Sequence, residues 1–363
     1  MTGPLVLAVN PGAGSTKLAL FRGTVRTAEE RLSHPELLAR PAARVWEELP
    51  ARVAAVSAFL AGAGVAAGEL AAVVGRGGLL PPLASGTYEV DGAMLAELER
   101  AARGEHASNL GAPIAAALAR AHGCPAFIVD PVSVDELDPV ARVAGLAGME
   151  RRSFTHALNL RAVARRHARE AGRALVSLRL LACHLGTGIS LAAFRDGRMA
   201  DVVNPQDEGP FAGDRAGGVP ATALVDLCFE RAAAGEDGRA VKRRLFGDGG
   251  LYSHLGTRDA RDALRRAEAG DARARLVVDA MTYQVAKAAG GLAAALEGRV
   301  DAVLLTGGMV HLPALAEAVE RRVAWIAPVA RYPGEDELAA LAEGGLRVLA
   351  GEERARRYAP AER

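Results

Sequence analysis

The sequence predicts an α/β protein with two domains. Its 363 residues are enough for two domains of ordinary size. Short apolar runs of strand length alternate with Ala-, Arg- and Glu-rich stretches of helical period, and one glycine-rich hairpin pattern occurs twice. Half of the residues are hydrophobic but only 4% are aromatic. Alanine, valine and leucine therefore have to do most of the packing.

The first predicted strands flank a glycine loop. Leu5–Asn10 is an apolar run of buried-strand length, P-G-A-G-S-T-K follows it, and Leu18–Phe21 resumes a strand-like pattern. A strand, a loop and a second strand form a hairpin. A dinucleotide-binding fold would instead place a helix after the glycines, and a P-loop would need G-x-x-x-x-G-K-[ST]. The pattern fits neither of these nucleotide-binding folds.

The same arrangement returns in the second half of the chain, at Leu180–Gly197. Either two glycine hairpins are alike by chance, or the chain contains an internal duplication, with two related domains facing each other across a cleft. A duplication would place both loops where they can hold a polyphosphate. The matched pairs are Asn10 with His184, Gly12 with Gly186, Gly14 with Gly188, and Thr16 with Ser190.

Three further strand-like runs end in residues that suit a binding site. One runs into G-R-G-G at Arg76, one ends at Asp130, and one ends at Gly307 and Gly308. Ligands of α/β sheets bind beyond the carboxyl ends of strands. These strand ends are therefore candidate ligand-binding positions. Helical segments between the strands are predicted at 94–103 and 157–171.

The glycine loops suit phosphate. Glycine lets backbone N–H groups point at phosphate oxygens with no Cβ in the way. In the first loop, Ser15, Thr16 and Lys17 add hydroxyl donors and a positive charge. One such loop alone is explained as well by a tight turn that needs positive φ. Two matched loops, together with the glycine pair at 307–308, favour nucleotide contact.

Several charged or titratable residues lie beside glycines or at strand ends. Arg76, with a glycine on either side, and Arg215, in the loop-like D-R-A-G-G, could each form a bidentate pair with a carboxylate or a phosphate, although a solvated charge explains any single arginine as well. His184 ends a strand and His156 opens a helical segment, where a histidine often has only a structural role. The acidic run at 334–337 could bind magnesium or form the first turn of a helix.

Nine motifs, in order along the chain, resemble those of the butyrate kinases in the acetokinase family. They are N-P-G-A-G-S-T-K, V-V-G-R-G-G-L-L, G-E-H-A-S-N-L-G, P-A-F-I-V-D-P-V, R-R-S-F-T-H-A-L-N, H-L-G-T-G-I-S, E-G-P-F-A-G-D-R-A-G-G, L-L-T-G-G and Y-P-G-E-D-E-L, and they extend from Asn10 to about Leu338. The resemblance implies two duplicated actin- and Hsp70-like (ribonuclease H-like) α/β domains that flank an ATP cleft. It implies one domain over 1–134, completed by a C-terminal helix over 337–363, and a nucleotide-binding domain over 135–336.

The resemblance also implies the reaction of butyrate with ATP to give butyryl phosphate and ADP, with magnesium. By that likeness Arg76 and Arg215 hold the carboxylate and the transferring phosphoryl group, His156 stabilises the transition state, and Asp130 is the active-site carboxylate. The implied phosphate and nucleotide contacts are Asn10, Gly12, Ser15, Thr16, Lys17, His184, Gly186, Gly188, Gly307 and Gly308. The implied magnesium residues are Asn10 with Asp336 or Glu337.

The implied reaction is chemically consistent with these residues. A carboxylate is already an anionic nucleophile at pH 7, so catalysis rests on alignment and on neutralising charge on the phosphoryl oxygens. Two departures from the family pattern lie in the loops. The family more often has hydroxyl residues at Ala13 and Gly14, and a glycine or asparagine at Thr187. Both loops keep the glycines that set the backbone, so an altered phosphate affinity is the expected consequence.

Two alternative functions stay open. A buried methylene contributes only about 1–3 kcal/mol to discrimination, and the sequence does not identify the wall of the acid pocket. A kinase for acetate, propionate or a branched acid such as isobutyrate is therefore the first alternative. A non-catalytic ATP-binding regulator on the same fold is less favoured, because the catalytic candidates Arg76, Asp130, His156 and Arg215 are all present.

Composition limits the partners. The net charge is +1, from 44 basic and 43 acidic residues, which gives no reason to expect nucleic acid or a membrane surface as a partner. The three cysteines are widely spaced, which argues against a disulfide framework or a zinc site. There is no basic leader followed by an apolar stretch and no run of about 18 apolar residues, so we expect a cytoplasmic protein. The family resemblance adds a homo-oligomer, a dimer or larger.

Overall fold

The computed structural model describes residues 2–39 and 44–359. The chain divides into two compact units. The first unit takes the residues up to Asp135 and those from Asp336 onward, and the second is Glu136–Glu335. Each unit contains one mixed β-sheet with helices packed on it, so the predicted α/β class is confirmed.

The first unit is built on a six-stranded sheet in the order β3-β2-β1-β4-β6-β5. The first three strands form an antiparallel meander, β4 and β6 run parallel to the first strand, and β5 is an antiparallel edge. The first strand lies inside the sheet and is buried along its whole length, as its apolar sequence predicts. The strands are β1 Leu5–Pro11, β2 Ser15–Arg22, β3 Val25–Ser33, β4 Leu70–Arg76, β5 Thr87–Glu89 and β6 Ala126–Val129.

Helices lie against the strands of this sheet. The helices of the first unit are α1 Pro35–Ala39, α2 Leu49–Gly62, α3 Gly92–Arg100, α4 Gly111–His122 and, after the whole of the second unit, α13 Glu337–Leu349. Helices α2 and α4 pack with β1, β2 and β4 in one apolar core. Helix α13 packs against β1, β4 and β6. Its two glycines allow this close approach, because a Cβ on Gly345 would lie 2.6 Å from Val74 Cγ2 and a Cβ on Gly344 would overlap Val129.

The second unit has a five-stranded sheet in the order β11-β10-β7-β8-β9. Its strands are β7 Leu180–Leu185, β8 Ile189–Arg195, β9 Arg198–Val203, β10 Ala302–Gly307 and β11 Val329–Pro333. Its helices are α5 Pro139–Arg142, α6 Ala157–Glu170, α7 Ala221–Ala233, α8 Gly238–Leu245, α9 Gly250–Leu255, α10 Ala260–Glu268, α11 Ala272–Ala295 and α12 Pro313–Val323. Helices α11 and α12 form the main core with β7, β8 and β10.

The two sheets have the same strand order and directions over five strands. In each unit an antiparallel meander of three strands is followed by two parallel strands added beside the first strand of the meander. The hairpin loops differ by one residue, however. Asn10 pairs with Lys17 across the first hairpin, whereas His184 pairs with Ser190 across the second. The sequence match of Thr16 with Ser190 is therefore wrong by one position, because the second loop is one residue shorter.

The helix predicted over 337–363 ends at Leu349, and residues 360–363 lie outside the described part of the chain. Gly351 has φ 75°, which is the left-handed conformation that terminates many helices. The chain then pairs with the β5 edge, since Arg356 N–H donates to Thr87 O at 2.8 Å and Glu89 N–H donates to Arg356 O at 2.9 Å. This segment is therefore part of the sheet edge. No helix within residues 2–39 and 44–359 combines the length and apolar character needed to cross a membrane.

Candidate active site

Three polar side chains meet at the carboxyl edge of the first sheet. The Asn10 amide nitrogen donates to Glu337 Oε2 at 2.5 Å, and Arg76 Nη1 lies 2.6 Å from Glu337 Oε1 and 3.3 Å from Asn10 Oδ1. Strands β1 and β4 are adjacent and parallel, so their ends lie side by side, and α13 begins at the same edge. The result is a compact cluster of one cation, one carboxylate and one amide.

The two acidic residues at the start of α13 have different environments. Asp336 caps the helix by accepting from Ala339 N–H at 3.0 Å, and its other oxygen pairs with Arg26. Glu337 is the one that joins Asn10. Carboxylate and amide oxygens are donors that suit Mg²⁺, which takes few protein ligands alongside substrate phosphates. No group of three or more His, Cys, Asp or Glu in metal-binding array occurs within residues 2–39 and 44–359. Asn10 and Glu337 together still fit the chemistry of a phosphate-bound magnesium ion.

The first glycine loop is closed by a hydrogen bond from Gly12 N–H to Ser15 O at 2.7 Å. Lys17 is exposed, and Ser15 Oγ accepts from Arg31 Nε at 3.2 Å. Thr16 is fully buried, and its hydroxyl contacts His34 Nε2 and an Arg52 nitrogen, each at 3.0 Å. The predicted phosphate donor Thr16 therefore has its hydroxyl in the interior, because it lies on the face of β2 opposite the exposed Lys17, where buried Arg52 and His34 surround it.

Asp130 follows β6 directly and has φ 37°, a left-handed conformation that is uncommon for a residue other than glycine. It is buried, and its Oδ1 accepts from Gly86 N–H at 2.7 Å. Asp130 N–H in turn donates to Gly86 O at 3.0 Å. The first bond orients the carboxylate, and the second fixes the backbone of Asp130 at the end of the strand. Such strained residues are concentrated at functional sites.

In the second unit, the rings of His156 and His184 are stacked with centroids 4.0 Å apart and an angle of 21° between their planes. His156 Nδ1 lies 2.9 Å from Ser190 Oγ. The Asn159 amide nitrogen lies 2.7 Å from His184 Nδ1. Because that nitrogen is a donor, His184 Nδ1 accepts, and the proton of the neutral ring is on Nε2. His184 Nε2 is then the donor on the glycine-loop side of the ring.

Arg215 lies against the second glycine loop. A Cβ on Gly188 would be 2.6 Å from Arg215 Nη1 and 3.1 Å from His156 Cε1, and a Cβ on Gly186 would be 2.6 Å from His184 Nε2. The glycines therefore allow both histidines and the guanidinium to approach the loop. Burial lowers the pKa of Arg215, and the nearby Asp214 carboxylate opposes the shift. Within the described residues the Arg215 guanidinium makes no hydrogen bond or ion pair, so its donors are available to an anion.

The glycine pair after β10 has two different functions. Gly307 has φ 96°, and a Cβ on it would overlap the Leu185 backbone. Gly307 and Gly334 exchange two backbone hydrogen bonds of 3.0 Å. A Cβ on Gly308 would meet no atom within 4 Å. Gly307 is thus required by the backbone, while Gly308 leaves open space beside the chain.

Two supporting residues were not singled out from the sequence. Arg52 is fully buried beneath the first glycine loop, and Asn159 orients His184. Arg52 did carry a signal, since it lies on the same face of α2 as Val56 and Leu60, at intervals of four residues. A charged residue on an apolar helix face predicts a buried partner. Asn159 carried no comparable local signal.

Comparisons with known proteins identify the family. The model of the acetokinase family matches residues 147–322. The chain is 42% identical over 353 residues to "Probable butyrate kinase 2" of Caldanaerobacter subterraneus subsp. tengcongensis, covering 97% of this chain and 99% of that protein. It is 44% identical over 354 residues to "Butyrate kinase 1" of Clostridium acetobutylicum, with the same coverage of both chains.

Solved structures share the fold. The Porphyromonas gingivalis acetate kinase matches with a TM-score of 0.75 at 20% identity, covering 96% of this chain and 100% of that one. A propionate kinase from Francisella tularensis subsp. tularensis matches with a TM-score of 0.73 at 16% identity, covering 94% and 98%. The resemblance seen in the nine motifs is thereby confirmed. The chain belongs to the acetokinase family, whose members are carboxylate kinases.

Proposed function

We propose that this protein is a butyrate kinase that transfers the γ-phosphoryl group of ATP to butyrate. The curated relatives that match nearly the whole chain carry that name. The observation that best supports phosphoryl transfer is the Arg215 guanidinium, which has no partner within the described residues and lies beside His156 at the second glycine loop. A preorganised cation of this kind can stabilise charge that develops in the transition state.

In the proposed reaction a carboxylate oxygen of butyrate attacks the γ-phosphorus. A new P–O bond forms to butyrate, the bond from the γ-phosphorus to the β,γ-bridging oxygen breaks, and that electron pair leaves with ADP. The nucleophile is already ionised, so no residue has to remove a proton. The task of Arg76, Arg215 and His156 is to hold the carboxylate and neutralise the phosphoryl oxygens. Asp130, fixed by Gly86, serves as the active-site carboxylate.

Family membership implies ATP and a divalent metal ion, and we propose that the ion is Mg²⁺. Asn10 and Glu337 would hold it, and when bound it would neutralise charge on the β- and γ-phosphates. Asp336 is the weaker candidate, because it caps α13 and pairs with Arg26, whereas Glu337 lies beside Asn10. Arg76, which pairs with Glu337 at 2.6 Å, would contact the substrates from the same cluster.

The proposed phosphate and nucleotide contacts lie on the glycine loops. Their backbone N–H groups suit phosphate oxygens, and Lys17 adds an exposed positive charge. Thr16 would support the loop from within rather than contact phosphate. The proposed contacts are Asn10, Gly12, Ser15, Lys17, His184, Gly186, Gly188, Gly307 and Gly308. The two compact units would be the domains of this duplicated kinase fold.

The proposed partners are small molecules, namely a short-chain carboxylate and ATP or ADP. The near-neutral net charge supports this over nucleic acid or a membrane surface. A cytoplasmic location follows from the proposed use of ATP. A homo-oligomer, a dimer or larger, stays a prediction that sedimentation analysis can test.

A panel of acids tests the proposal. The purified protein is incubated with ATP, magnesium and acetate, propionate, butyrate, isobutyrate or valerate, and the acyl phosphate is trapped with hydroxylamine. Maximal kcat/KM at four or five carbons supports a butyrate kinase. A maximum at acetate or propionate keeps the mechanism but overturns the substrate. ATP binding without product from any acid would favour a non-catalytic regulator.

A further inference from the structure

One buried arginine holds the first glycine loop from beneath. Arg52 has no exposed surface, and its Nη1 donates to Ser15 O at 3.2 Å and to Thr16 Oγ1 at 3.0 Å. Its Nη2 donates to Gly12 O at 3.0 Å and to Ala13 O at 3.2 Å. Three of the loop carbonyl groups, those of Gly12, Ala13 and Ser15, therefore point at a single guanidinium inside the protein.

The remaining donors of this guanidinium are also used. Glu48, one helical turn earlier, accepts from Arg52 Nε at 2.9 Å and from Nη2 at 2.7 Å. The Glu48 side chain is only 10% exposed. Such a buried ion pair is strong only when its hydrogen bonds are complete. Here every nitrogen of the arginine has at least one acceptor.

The directions of the loop carbonyl groups also determine where the loop N–H groups point. In a planar trans peptide the C=O and the following N–H point in opposite directions. The inward carbonyls of Gly12 and Ala13 therefore turn the N–H groups of Ala13 and Gly14 away from Arg52. Neither of these N–H groups makes a hydrogen bond within residues 2–39 and 44–359. The remaining carbonyl, of Gly14, accepts from His34 N–H at 2.9 Å.

We propose that Arg52 is a positioning residue that fixes the loop carbonyls inward so that the Ala13 and Gly14 amides face the phosphates of ATP. The inference rests on the proposed function for the identity of the anion. A lysine could not replace this arginine, because an ammonium has three donors on one atom and cannot span acceptors along the loop. Positions 13 and 14 are alanine and glycine, which offer no side-chain donor, so the loop has to contact phosphate there through its backbone N–H groups.

The test compares Arg52→Lys with Arg22→Gln as a matched control. Arg22 lies at the far end of β2 and pairs with Glu69 at 2.8 Å on the surface, so its loss should leave activity unchanged. For folded Arg52→Lys we expect ATP binding, measured by calorimetry, to weaken roughly 10- to 100-fold, by analogy with the loss of an outer-shell hydrogen-bond partner at a metal site. KM for ATP should rise similarly, while KM for butyrate stays near that of the parent protein.

A second measurement uses the unaltered protein. Added ATP should slow hydrogen exchange of the Ala13 and Gly14 amides, and Arg52→Lys should lose that protection. Parent-like ATP affinity in folded Arg52→Lys overturns the inference. If that variant does not fold, the parent protein alone decides: the inference is overturned if ATP does not change the hydrogen exchange of the Ala13 and Gly14 amides. If the parent protein binds ATP but phosphorylates no acid, only the proposed function is refuted. The ATP-affinity and hydrogen-exchange measurements then still decide the role of Arg52.

Discussion

Adding one methyl group at Gly188 should displace the Arg215 guanidinium without unfolding the protein. A Cβ there would lie 2.6 Å from Arg215 Nη1, whereas ordinary van der Waals contact begins at 3.4 Å, so the guanidinium has to move by about 0.8 Å. The same Cβ would lie 3.1 Å from His156 Cε1. Because Nη1 is the far end of a flexible side chain, the movement costs little stability, and the backbone of Gly188 is not in the left-handed region.

The expected cost is in catalysis. Phosphoryl transfer depends on position and charge, and a misplacement of about 1 Å can reduce the rate roughly 10²-fold. For Gly188→Ala we therefore expect kcat to fall roughly 10- to 100-fold in the hydroxylamine assay, with an unfolding midpoint in urea close to that of the parent protein.

Gly291→Ala is the matched control in the same unit. Gly291 lies in α11, and a Cβ there meets no atom within 4 Å. We expect unchanged kcat and a gain of about 0.5–1 kcal/mol in unfolding free energy, since alanine favours a helix over glycine. A folded Gly188→Ala protein with parent-like kcat would contradict the role given to Arg215. Unfolding of Gly188→Ala would show that the loop, and not the arginine side chain, absorbs the methyl group.

Four further substitutions test the site. Arg215→Ala should lower kcat roughly 10²–10³-fold, the usual effect of removing one preorganised donor, and near-normal turnover in the folded variant would remove Arg215 from the site. Glu337→Gln should raise the Mg²⁺ concentration needed for half-maximal rate. Asp336→Ala should leave that concentration unchanged and lower the unfolding free energy by about 1 kcal/mol, because the helix cap is lost. The reverse pattern would exchange the roles of the two residues. Asn159→Leu should lower kcat roughly 10-fold or more and change the His184 tautomer in nitrogen NMR spectra, whereas an unchanged tautomer would exclude the orienting hydrogen bond.

The apolar strands that end at glycines or at candidate site residues, such as β1, β4, β6, β7 and β10, could be predicted from the sequence, whereas β3, β5, β9 and β11 were not. Leu5–Asn10 was expected and Leu5–Pro11 is found. Parallel strands end at the same edge of a sheet, so the proximity of Asn10 and Arg76 follows from the strand pattern once β1 and β4 pair. Glycines near an arginine in the sequence also indicated candidate site residues, in G-R-G-G at Arg76 and in D-R-A-G-G at Arg215.

Two kinds of feature could not be predicted from the sequence: those that depend on the exact residue at which an element begins, and those that depend on which side chains are buried in the tertiary structure. Whether Asp336 or Glu337 joins Asn10 is decided by where α13 begins, and helix ends are uncertain by one or two residues in sequence analysis. Thr16 faces inward and Lys17 outward, as alternation along β2 requires, but which of the two faces the interior covers is decided by tertiary packing. The contacts of Arg52 with the loop join residues nearly forty positions apart, and no local pattern specifies that distance.

The late position of α13 along the chain has a consequence for biosynthesis. This helix covers β1, β4 and β6 of the first unit, yet the ribosome makes it only after Glu136–Glu335. The second unit is contiguous and can complete its core as soon as it emerges. Until α13 arrives, the apolar side chains that it covers, including Val74 and Val129, stay open to solvent and to other nascent chains. The unit that begins the sequence is therefore the second to be finished, and its uncovered sheet is the surface on which chaperones would have to act.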